Sequence, residues 1–454
     1  MKVVIVGAGE VGFHIASRLA LEKKDVVVVD RDPEAIRRIS DNIDAQVLVG
    51  SGSSPVVLEE AGLREAEILL AVTDSDEVNL VACLAADIIS SATRKLARIR
   101  NADFDGYHDR FQKHAPHIDT VINPEIEVVK TIDRLMSVPG AVDVGEFADG
   151  RIKLIGIRLR NTDAIAGMRL SKLPGLTGGG RLLVASIIRD EELIIPRGDD
   201  RLLPGDLIYV VCGENDLPNV LHIFDKYEDP VGRVLIVGGG QSGYRLAAHL
   251  EKKSIYTKII EKDPDRCSKL AERLNKAVVL QGDGSDQAML TEENIQGVDM
   301  VVTLTRDEET NILVSLLSKN MGARKAIVKI NKFSYFPLLP AIGLEQVVSP
   351  RLSAINSILQ HVRRGKVLSA VSIKGEQAEV LEAMAMETSD IVGKPLRDIK
   401  MPKGSIVVGI VRRDAVMIPS GASVVEPDDR IIFFAQREAI PKIEKMLAVK
   451  LEFF

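Results

Sequence analysis

Two glycine-rich segments of the chain have the composition and spacing of a cradle that binds the pyrophosphate of a dinucleotide. In such a motif the first glycine permits a tight turn, the second lets the backbone approach the phosphates, and the third lets a helix pack closely on a strand. The segments lie at a constant offset (238 − 7 and 243 − 12 are both 231) and read Gly7-Ala8-Gly9-Glu10-Val11-Gly12 and Gly238-Gly239-Gly240-Gln241-Ser242-Gly243. They predict nucleotide binding at two places in the chain.

An acidic residue follows each cradle at the distance expected for binding a ribose. Asp30 follows Gly12 at the same spacing as Glu261 follows Gly243 (30 − 12 and 261 − 243 are both 18). A carboxylate at this place accepts hydrogen bonds from the ribose hydroxyls and repels a 2′-phosphate. The acids therefore favour NAD(H) or a plain adenine nucleotide over NADP. The alternative is a sheet of the same shape that has lost its ligand.

Polar residues also follow the apolar runs that we interpret as strands. Thr73 and Asp74 come directly after one run, and Thr305 and Arg306 follow its counterpart in the second half. Because the carboxyl ends of parallel strands face the ligand crevice, these residues are candidates for lining it. The neighbouring acids could instead be ordinary charges at the N-terminus of a helix, which the helix dipole favours. They are Asp76, Glu77, Asp307 and Glu308.

Two arginines, Arg98 and Arg100, end the next apolar run, and Lys329 is the second-half counterpart of Arg98. They are candidates for binding phosphates, since a guanidinium forms paired hydrogen bonds with a phosphate group. Solvated surface charges are an equally good interpretation.

A Gly-x-Gly turn in each half differs at its middle residue. In the second half, Asp283 could accept a hydrogen bond from an adenine amino group. In the first half, Ser51 is a weaker, neutral partner. Simple turn chemistry explains both residues as well.

The elements that must position these residues are repeated too. After each cradle, strands alternate with helices, which is the pattern of a parallel, doubly wound sheet. In each half, an N-cap residue followed by a proline then begins a helix that leaves the sheet. These pairs are Asn123-Pro124 and Ser349-Pro350. Beyond that helix, short β-type runs alternate with turns rich in Pro, Gly and Asp, which predicts small modules built from hairpins.

The predicted fold class is therefore α/β, with two doubly wound, parallel-sheet Rossmann-like domains, each followed by a small α+β module. We predict a Rossmann-like domain at 1–125 and a linker helix with its module at 126–228. The second Rossmann-like domain is predicted at 229–350, and the second linker helix and module at 351–454.

Composition limits the functions that this chain can have. A net charge of −6 over 454 residues argues against broad nucleic-acid binding, which needs a basic face. No apolar run approaches the roughly 18 residues of a membrane span. The chain begins directly with a predicted strand, so we expect no cleaved signal. The three cysteines, Cys83, Cys212 and Cys267, form no CxxC motif, which favours a reducing cytoplasm over a disulfide framework.

We identify no catalytic residue and no metal site. The GxxxxGK[ST] loop of phosphoryl transfer is absent, and none of the six tyrosines has a lysine four residues later, as one common dehydrogenase arrangement requires. His108, His114 and His117 lack a paired cysteine or an HExxH helix, so we interpret them as surface residues. We expect a protein that is not an enzyme. An NAD-dependent oxidoreductase and a redox-dependent transcriptional sensor are the alternatives.

The order of cradle, module, cradle and module resembles the RCK/KTN family of potassium-uptake regulatory subunits over nearly the whole chain. No single motif is diagnostic, whereas the fourfold order is quite specific. The first-half residues that carry the resemblance, each with a second-half copy, are Gly7–Gly12, Asp30, Thr73–Asn79, Ala97–Asn101, Asn123–Glu125, Gly167–Leu173 and Pro204–Asp206.

The resemblance implies a cytoplasmic ring of cradles on the inner face of the cell membrane, docked on a TrkH-like membrane potassium translocator. NAD(H) and ATP or ADP would bind the cradles and change the shape of the ring. Carried over by position, the first site would use Gly7, Gly9, Gly12, Asp30, Thr73, Asp74, Arg98 and Arg100. The second site would use Gly238, Gly240, Gly243 and Glu261.

Overall fold

The computed structural model describes residues 1–177, 181–362, 367–373 and 377–447. These residues form two compact units. The first unit contains Met1–Val128 and Ser349–Val362, and the second contains Val129–Val348 with the described residues after 362. A helix from the second half of the sequence therefore belongs to the unit that holds the first Rossmann-like domain.

The first Rossmann-like domain is a six-stranded parallel sheet with strand order β3-β2-β1-β4-β5-β6. Its elements in chain order are β1 (Lys2–Val6), α1 (Glu10–Leu21), β2 (Asp25–Asp30), α2 (Pro33–Asn42), β3 (Gln46–Val49), α3 (Pro55–Glu60), β4 (Ile68–Ala71), α4 (Asp76–Ile89), β5 (Arg94–Arg98), α5 (His108–Lys113) and β6 (Thr120–Ile122).

Local sequence explains where these elements begin. The central strand β1 is apolar and buried from Val3 onward, as expected for a strand covered on both faces. Three helices start at side-chain caps, because Asp32, Ser54 and Ser75 accept hydrogen bonds from backbone amides in the first turn of α2, α3 and α4. The strands run in one direction, so β1, β2 and β4 end at the same edge of the sheet.

The second Rossmann-like domain repeats this design, with strand order β14-β13-β12-β15-β16-β17. Its elements are β12 (Arg233–Val237), α8 (Gln241–Lys252), β13 (Tyr256–Glu261), α9 (Pro264–Arg273), β14 (Val278–Gln281), α10 (Gln287–Glu292), β15 (Met300–Thr303), α11 (Glu308–Asn320), β16 (Lys325–Lys329) and β17 (Gln346–Val348). The prediction of two doubly wound parallel sheets is confirmed.

Each parallel sheet is followed by a linker helix and a five-stranded antiparallel sheet, as predicted. The first set comprises α6 (Pro124–Ser137), β7 (Asp143–Phe147), β8 (Ile152–Arg158), β9 (Leu182–Arg189), β10 (Glu192–Ile194), β11 (Leu207–Gly213) and α7 (Leu217–Ile223). The second comprises α12 (Pro350–Val362), β18 (Val367–Ile373), β19 (Ala378–Met384), β20 (Ser405–Arg412), β21 (Ala415–Met417), β22 (Arg430–Gln436) and α13 (Ile440–Leu447).

The repeated aspartate after the Pro-containing turn has a structural role in both modules. Asp206 is buried and receives both hydrogen bonds of a paired contact from Arg189, at 2.8 Å each. In the same way, Asp429 is buried and receives two hydrogen bonds of 2.9 Å from Arg412. Such a bidentate pair fixes the turn before β11 or β22 against the hairpin strand opposite.

The two antiparallel sheets share one apolar core within the second unit. Phe147 and Tyr209 of the first module pack with Phe434 of the second, and the Tyr209 and Phe434 rings lie 6.4 Å apart. A buried polar contact joins the same two sheets, because Glu382 accepts a hydrogen bond of 3.1 Å from the backbone amide of Ala148. The modules therefore form one packed body.

The linker helices pack against the helices that begin at the glycine turns. In the first unit, α12 packs on α1 and buries one apolar face. In the second unit, Asp133 of α6 pairs with His249 of α8 at 3.1 Å and also with Lys253. Within the described residues, no helix is long and apolar enough to cross a membrane.

The shared module core gives the first testable prediction. Phe434→Ala removes a fully buried ring from the core, so we expect the free energy of unfolding of the paired modules to fall by about 3–5 kcal/mol. Chemical denaturation followed by circular dichroism measures this loss. Leu313→Ala, at a side chain that is 65% exposed on α11, is the control and should change stability by less than about 0.5 kcal/mol. Equal effects of both variants would contradict a shared core.

Candidate functional site

The first glycine turn has three glycines in three different environments. Gly7 has φ +114°, and a Cβ there would lie 3.0 Å from the backbone nitrogen of Thr73. A Cβ on Gly12 would overlap with the carbonyl oxygen of Gly7, so α1 and the end of β1 touch through their backbones. A Cβ on Gly9 would meet nothing within 4 Å. The turn is therefore closed on two sides and open at its middle glycine.

The second glycine turn repeats this geometry. Gly238 has φ +109°, and a Cβ there would lie 2.8 Å from the backbone nitrogen of Thr305. A Cβ on Gly243 would overlap with the carbonyl oxygen of Gly238, while one on Gly240 would meet nothing within 4 Å. The open glycine in each turn is the N-cap of the following helix, α1 or α8. Free amides at a helix N-terminus are suited to an anion.

The two acids lie against the glycine turns. Asp30 accepts a hydrogen bond of 2.6 Å from the amide of Ala8 and one of 2.9 Å from the amide of Asp32. Glu261 accepts corresponding bonds from Gly239, at 2.7 Å, and from Asp263, at 2.9 Å. Each carboxylate therefore lies beside its cradle, and because a carboxylate has about four acceptor sites, a ribose hydroxyl can bind it alongside these backbone donors.

The environment of the second acid differs from that of the first. Glu261 is only 7% exposed and contacts Arg266 Nη1 at 3.1 Å. Burial raises the pKa of Glu261, but the amides of Asp263 and Gly239 and the guanidinium of Arg266 outweigh it, so the pKa is lowered. Ala35 occupies the position of Arg266 in the first half (266 − 35 is 231). Glu261 is thus held by one more charged partner than Asp30.

A buried asparagine holds two strand ends together in each sheet. Asn79, fully buried on α4, accepts hydrogen bonds from the Thr73 amide at 2.9 Å and from the Thr73 hydroxyl at 2.8 Å. Its own amide group donates to the carbonyl oxygens of Thr73 and Arg98. Asn311 makes the same contacts with Thr305 and Lys329. Asn79 therefore fixes the ends of β4 and β5 at the crevice.

The two candidate phosphate-binding arginines contact an aspartate at the same edge. Arg98 Nη1 lies 3.2 Å from Asp74 Oδ1, and Arg100 donates to the carbonyl oxygen of Asp74. Burial and the neighbouring charge of Arg100 lower the pKa of Arg98 despite Asp74. Asp76 accepts from the amides of Arg100 and Asn101, which fixes the loop that carries Arg100. The structure therefore brings Thr73, Asp74, Arg98 and Arg100 together.

The remaining residues of the first turn have distinct surroundings. Ala8 and Val11 are buried. Glu10, the first residue of α1, pairs with Arg38 at 2.6 Å and with Arg351 at 2.9 Å. Partial burial raises the pKa of Glu10, but Arg38 and Arg351 outweigh it and lower the pKa. Glu10 is therefore a charged carboxylate at the rim of the cradle.

The Gly-x-Gly turns differ between the halves. Asp283 accepts hydrogen bonds from the Ser285 amide and hydroxyl and pairs with Lys262 at 3.0 Å. Together these contacts lower the pKa of Asp283 to about 2. In the first half, the Ser51 hydroxyl lies 2.8 Å from that of Ser53. Both residues make local turn contacts, which is the turn chemistry considered as an alternative to adenine binding.

Sequence reasoning assigned no role to four residues at these sites. Asn79 and Asn311 lie in the repeated segments at the same offset as Thr73 and Thr305 (311 − 79 and 305 − 73 are both 232), so the repeat identified the positions but not their contacts. Arg38 and Arg351 gave no comparable signal. Arg351 is far from Glu10 in the sequence, and no local pattern connects the two.

Known proteins share this arrangement over the whole length. The TrkA-N domain family matches residues 3–124 and 234–350, and the TrkA-C domain family matches residues 154–225 and 380–448. The Trk system potassium uptake proteins TrkA of Azorhizobium caulinodans and Halomonas elongata are 38% and 37% identical to this chain over 458 residues, with 100% of each chain covered. A solved GsuK channel bound to NAD has the same fold, with a TM-score of 0.59 and 18% identity over 98% of this chain and 78% of that chain.

The asparagine that joins β4 and β5 gives the second prediction. Asn79→Ala leaves the amide and carbonyl groups of Thr73 and the Arg98 carbonyl without their partner, so we expect a loss of about 2–4 kcal/mol in stability. Asn311→Ala should produce a similar loss in the second domain. Thermal unfolding and limited proteolysis measure both losses. Asn320→Ala, at an exposed residue that ends α11, is the matched control.

The lowered pKa of Glu261 gives a pH prediction. A carboxylate whose folded-state pKa is lowered stabilises the fold above its unfolded pKa, and that stabilisation is lost as the pH falls through the folded value. The unmutated protein should therefore lose stability below about pH 4 more steeply than Glu261→Gln, which has no titrating group there. Unfolding curves between neutral and acidic pH test this. Glu272→Gln, an exposed residue on α9, should keep the steep profile, and an identical slope for Glu261→Gln would contradict the assignment.

Proposed function

The chain belongs to the TrkA family of Trk potassium uptake proteins, and we propose that it is the nucleotide-sensing regulatory subunit of such a system. Its ligands are NAD(H) and, at one or both cradles, ATP or ADP. It binds them without turning them over, and the change in shape on binding alters ion flow through a membrane potassium transporter. The NAD-dependent oxidoreductase considered as an alternative is not favoured by this family membership.

The observation that carries the proposal is the duplicated cradle with its open middle glycine. Gly9 and Gly240 each leave the space in front of a helix N-terminus free of side-chain atoms, while the glycines on either side are held by backbone contact. A pyrophosphate at this place receives backbone amides and the positive end of the helix dipole. The same geometry at both ends of the duplication supports two ligand sites in one chain.

The residues around the cradle define how a ligand is held. Asp30 accepts hydrogen bonds from the ribose hydroxyls beside the one from the amide of Ala8, which selects a nucleotide with no 2′-phosphate. Arg98 and Arg100 exchange Asp74 for ligand phosphates, because a guanidinium pairs more strongly with a phosphate than with an exposed carboxylate. Thr73 remains fixed by Asn79 and lines the crevice. In the second half Glu261, Gly238 and Gly243 take the corresponding roles.

Binding regulates transport only if the ligand distinguishes between two shapes. A ligand with equal affinity for both shapes shifts nothing, so the exchanged contacts of Arg98 and Arg100 and the added ribose contacts of Asp30 are the source of the difference. We propose that further copies of the chain complete a ring on the inner face of the cell membrane, where the transporter is docked. The curated relatives, which are named as Trk system potassium uptake proteins, support this partner.

The fourth prediction separates ligand binding from folding. Gly9→Ala and Gly240→Ala place a methyl group in the open space where the pyrophosphate approaches, so we expect NADH affinity to fall about tenfold or more at the altered cradle. Neither glycine has a positive φ, so the fold should be retained. Isothermal titration calorimetry with NADH, ATP and ADP measures the affinities, and circular dichroism measures the fold.

Potassium uptake provides the functional readout of the same variants. In cells that depend on this protein for potassium uptake at low external potassium, the double variant should still be recovered with membranes but should lose the nucleotide response. Gly175→Ala is the control, because Gly175 belongs to the first module and to neither glycine turn, has no positive φ, and an added Cβ there would meet nothing within 4 Å. Failure of NADH, ATP and ADP to bind the unmutated protein would contradict the proposal. Steady consumption of NADH by the purified protein would instead revive the oxidoreductase alternative.

A further inference from the structure

A cluster of three charged residues lies at the rim of the first cradle. The carboxylate of Glu10, the first residue of α1, contacts Arg38 Nη1 of α2 at 2.6 Å through Oε1. Its other oxygen, Oε2, lies 2.9 Å from Arg351 Nη1 on the first turn of α12. One carboxylate therefore connects two helices that are far apart in sequence, and it does so within the first unit.

Arg38 ties this cluster to the glycine turn itself. Its Nη2 donates a hydrogen bond of 3.2 Å to the carbonyl oxygen of Ala8, and its guanidinium lies 4.7 Å from the ring centroid of Phe13. Glu10 directly follows Gly9, in front of which the structure is open. The Glu10–Arg38–Arg351 cluster thus borders the space assigned to the ligand phosphates and is held there by independent contacts.

The charges of the cluster bear on which ligand fits. A carboxylate at the mouth of a phosphate site repels the ligand, and each added phosphate increases that repulsion. Two guanidinium groups more than compensate for one carboxylate, and guanidinium groups pair well with phosphate oxygens. When a phosphate chain reaches the rim, Arg38 and Arg351 can therefore exchange Glu10 for a phosphate with little loss.

The second cradle does not have this cluster. Gln241 occupies the position of Glu10, and the exposed Lys269 occupies that of Arg38 (241 − 10 and 269 − 38 are both 231). The counterpart of Arg351, the residue after the linker-helix proline, is Glu125. The chain has therefore kept the phosphate-binding turn in both halves but has the rim cluster in only one.

We propose that Arg351 and Arg38 make the first cradle selective for nucleotides that carry a free phosphate beyond the α-phosphate, with Glu10 as the internal competitor for those arginines. This inference rests on the proposed function and adds the ligand class of one of its two sites. A nucleoside di- or triphosphate ends in such a phosphate, whereas the two phosphates of NAD(H) are enclosed between riboses. Because Arg351 belongs to α12, binding at the first cradle also changes the docking of the first turn of α12 on α1.

The test uses the full-length chain carrying Gly240→Ala, so that titrations report on the first cradle. In this background we measure the affinities of ATP, ADP, AMP and NADH by calorimetry. Arg351→Gln should weaken ATP binding about tenfold or more, as expected for losing a hydrogen bond between charged groups, while AMP and NADH change less than about threefold. Glu10→Gln should act in the opposite direction and strengthen ATP binding. Arg351→Lys should restore part of the loss.

Hydrogen exchange gives a second readout. Amides in the first turn of α12 should change protection when ATP binds the background protein, and this change should be absent in Arg351→Gln. Lys269→Gln, which removes an exposed cation from the equivalent helix, is the matched control and should alter neither readout. An unchanged ratio of ATP to NADH affinity in both Arg351→Gln and Glu10→Gln would overturn this inference while leaving the proposed function standing. Absence of all nucleotide binding by the unmutated protein would overturn both.

Discussion

Backbone contact between a strand end and the helix that follows it is the constraint on which both cradles depend. The Cα atoms of Gly12 and Gly243 approach the carbonyl oxygens of Gly7 and Gly238 so closely that no Cβ could be accommodated. This contact orients α1 and α8 with their first amides at the carboxyl edge of the sheet. Every other residue assigned to the sites, including the ribose acids and the arginines after β5, is positioned relative to that edge.

Several polar side chains at this edge already bind protein groups that are chemically similar to the hydroxyl or phosphate groups of a nucleotide. Asp30 and Glu261 accept from backbone amides, as they would from ribose hydroxyls. Arg98 contacts a carboxylate, as it would a phosphate. Exchange of one such partner for another keeps buried polar groups satisfied in both states. Ligand binding can then redistribute contacts among neighbouring helices without first breaking the core.

The sequence was informative wherever function depends on local spacing. The glycine turns, the acid that follows each of them and the two parallel sheets were all predicted from short patterns that the duplication repeats. The β-type runs of the modules were also predicted, and the Arg189–Asp206 and Arg412–Asp429 pairs share one spacing in the sequence that was available as a signal. Contacts between distant segments were not predictable in this way. Nothing near Arg351 indicates that its partner is Glu10, since that contact depends on where α12 packs. The bounds of the four predicted domains and the roles of the site residues in binding stay predictions.

The packing of α12 on α1 has a consequence for how this molecule can be divided. The duplication suggests a cut near residue 228 that would yield two equivalent halves. The compact unit built around the first parallel sheet, however, includes Ser349–Val362. A truncation product ending at the first module would leave the surface of α1 beneath α12 bare, and the missing helix carries the apolar residues Ile355, Ile358 and Leu359 that are buried in the intact chain. Such a fragment would be prone to aggregate or to recruit a substitute helix, so the genetic repeat and the cooperative unit of folding do not coincide.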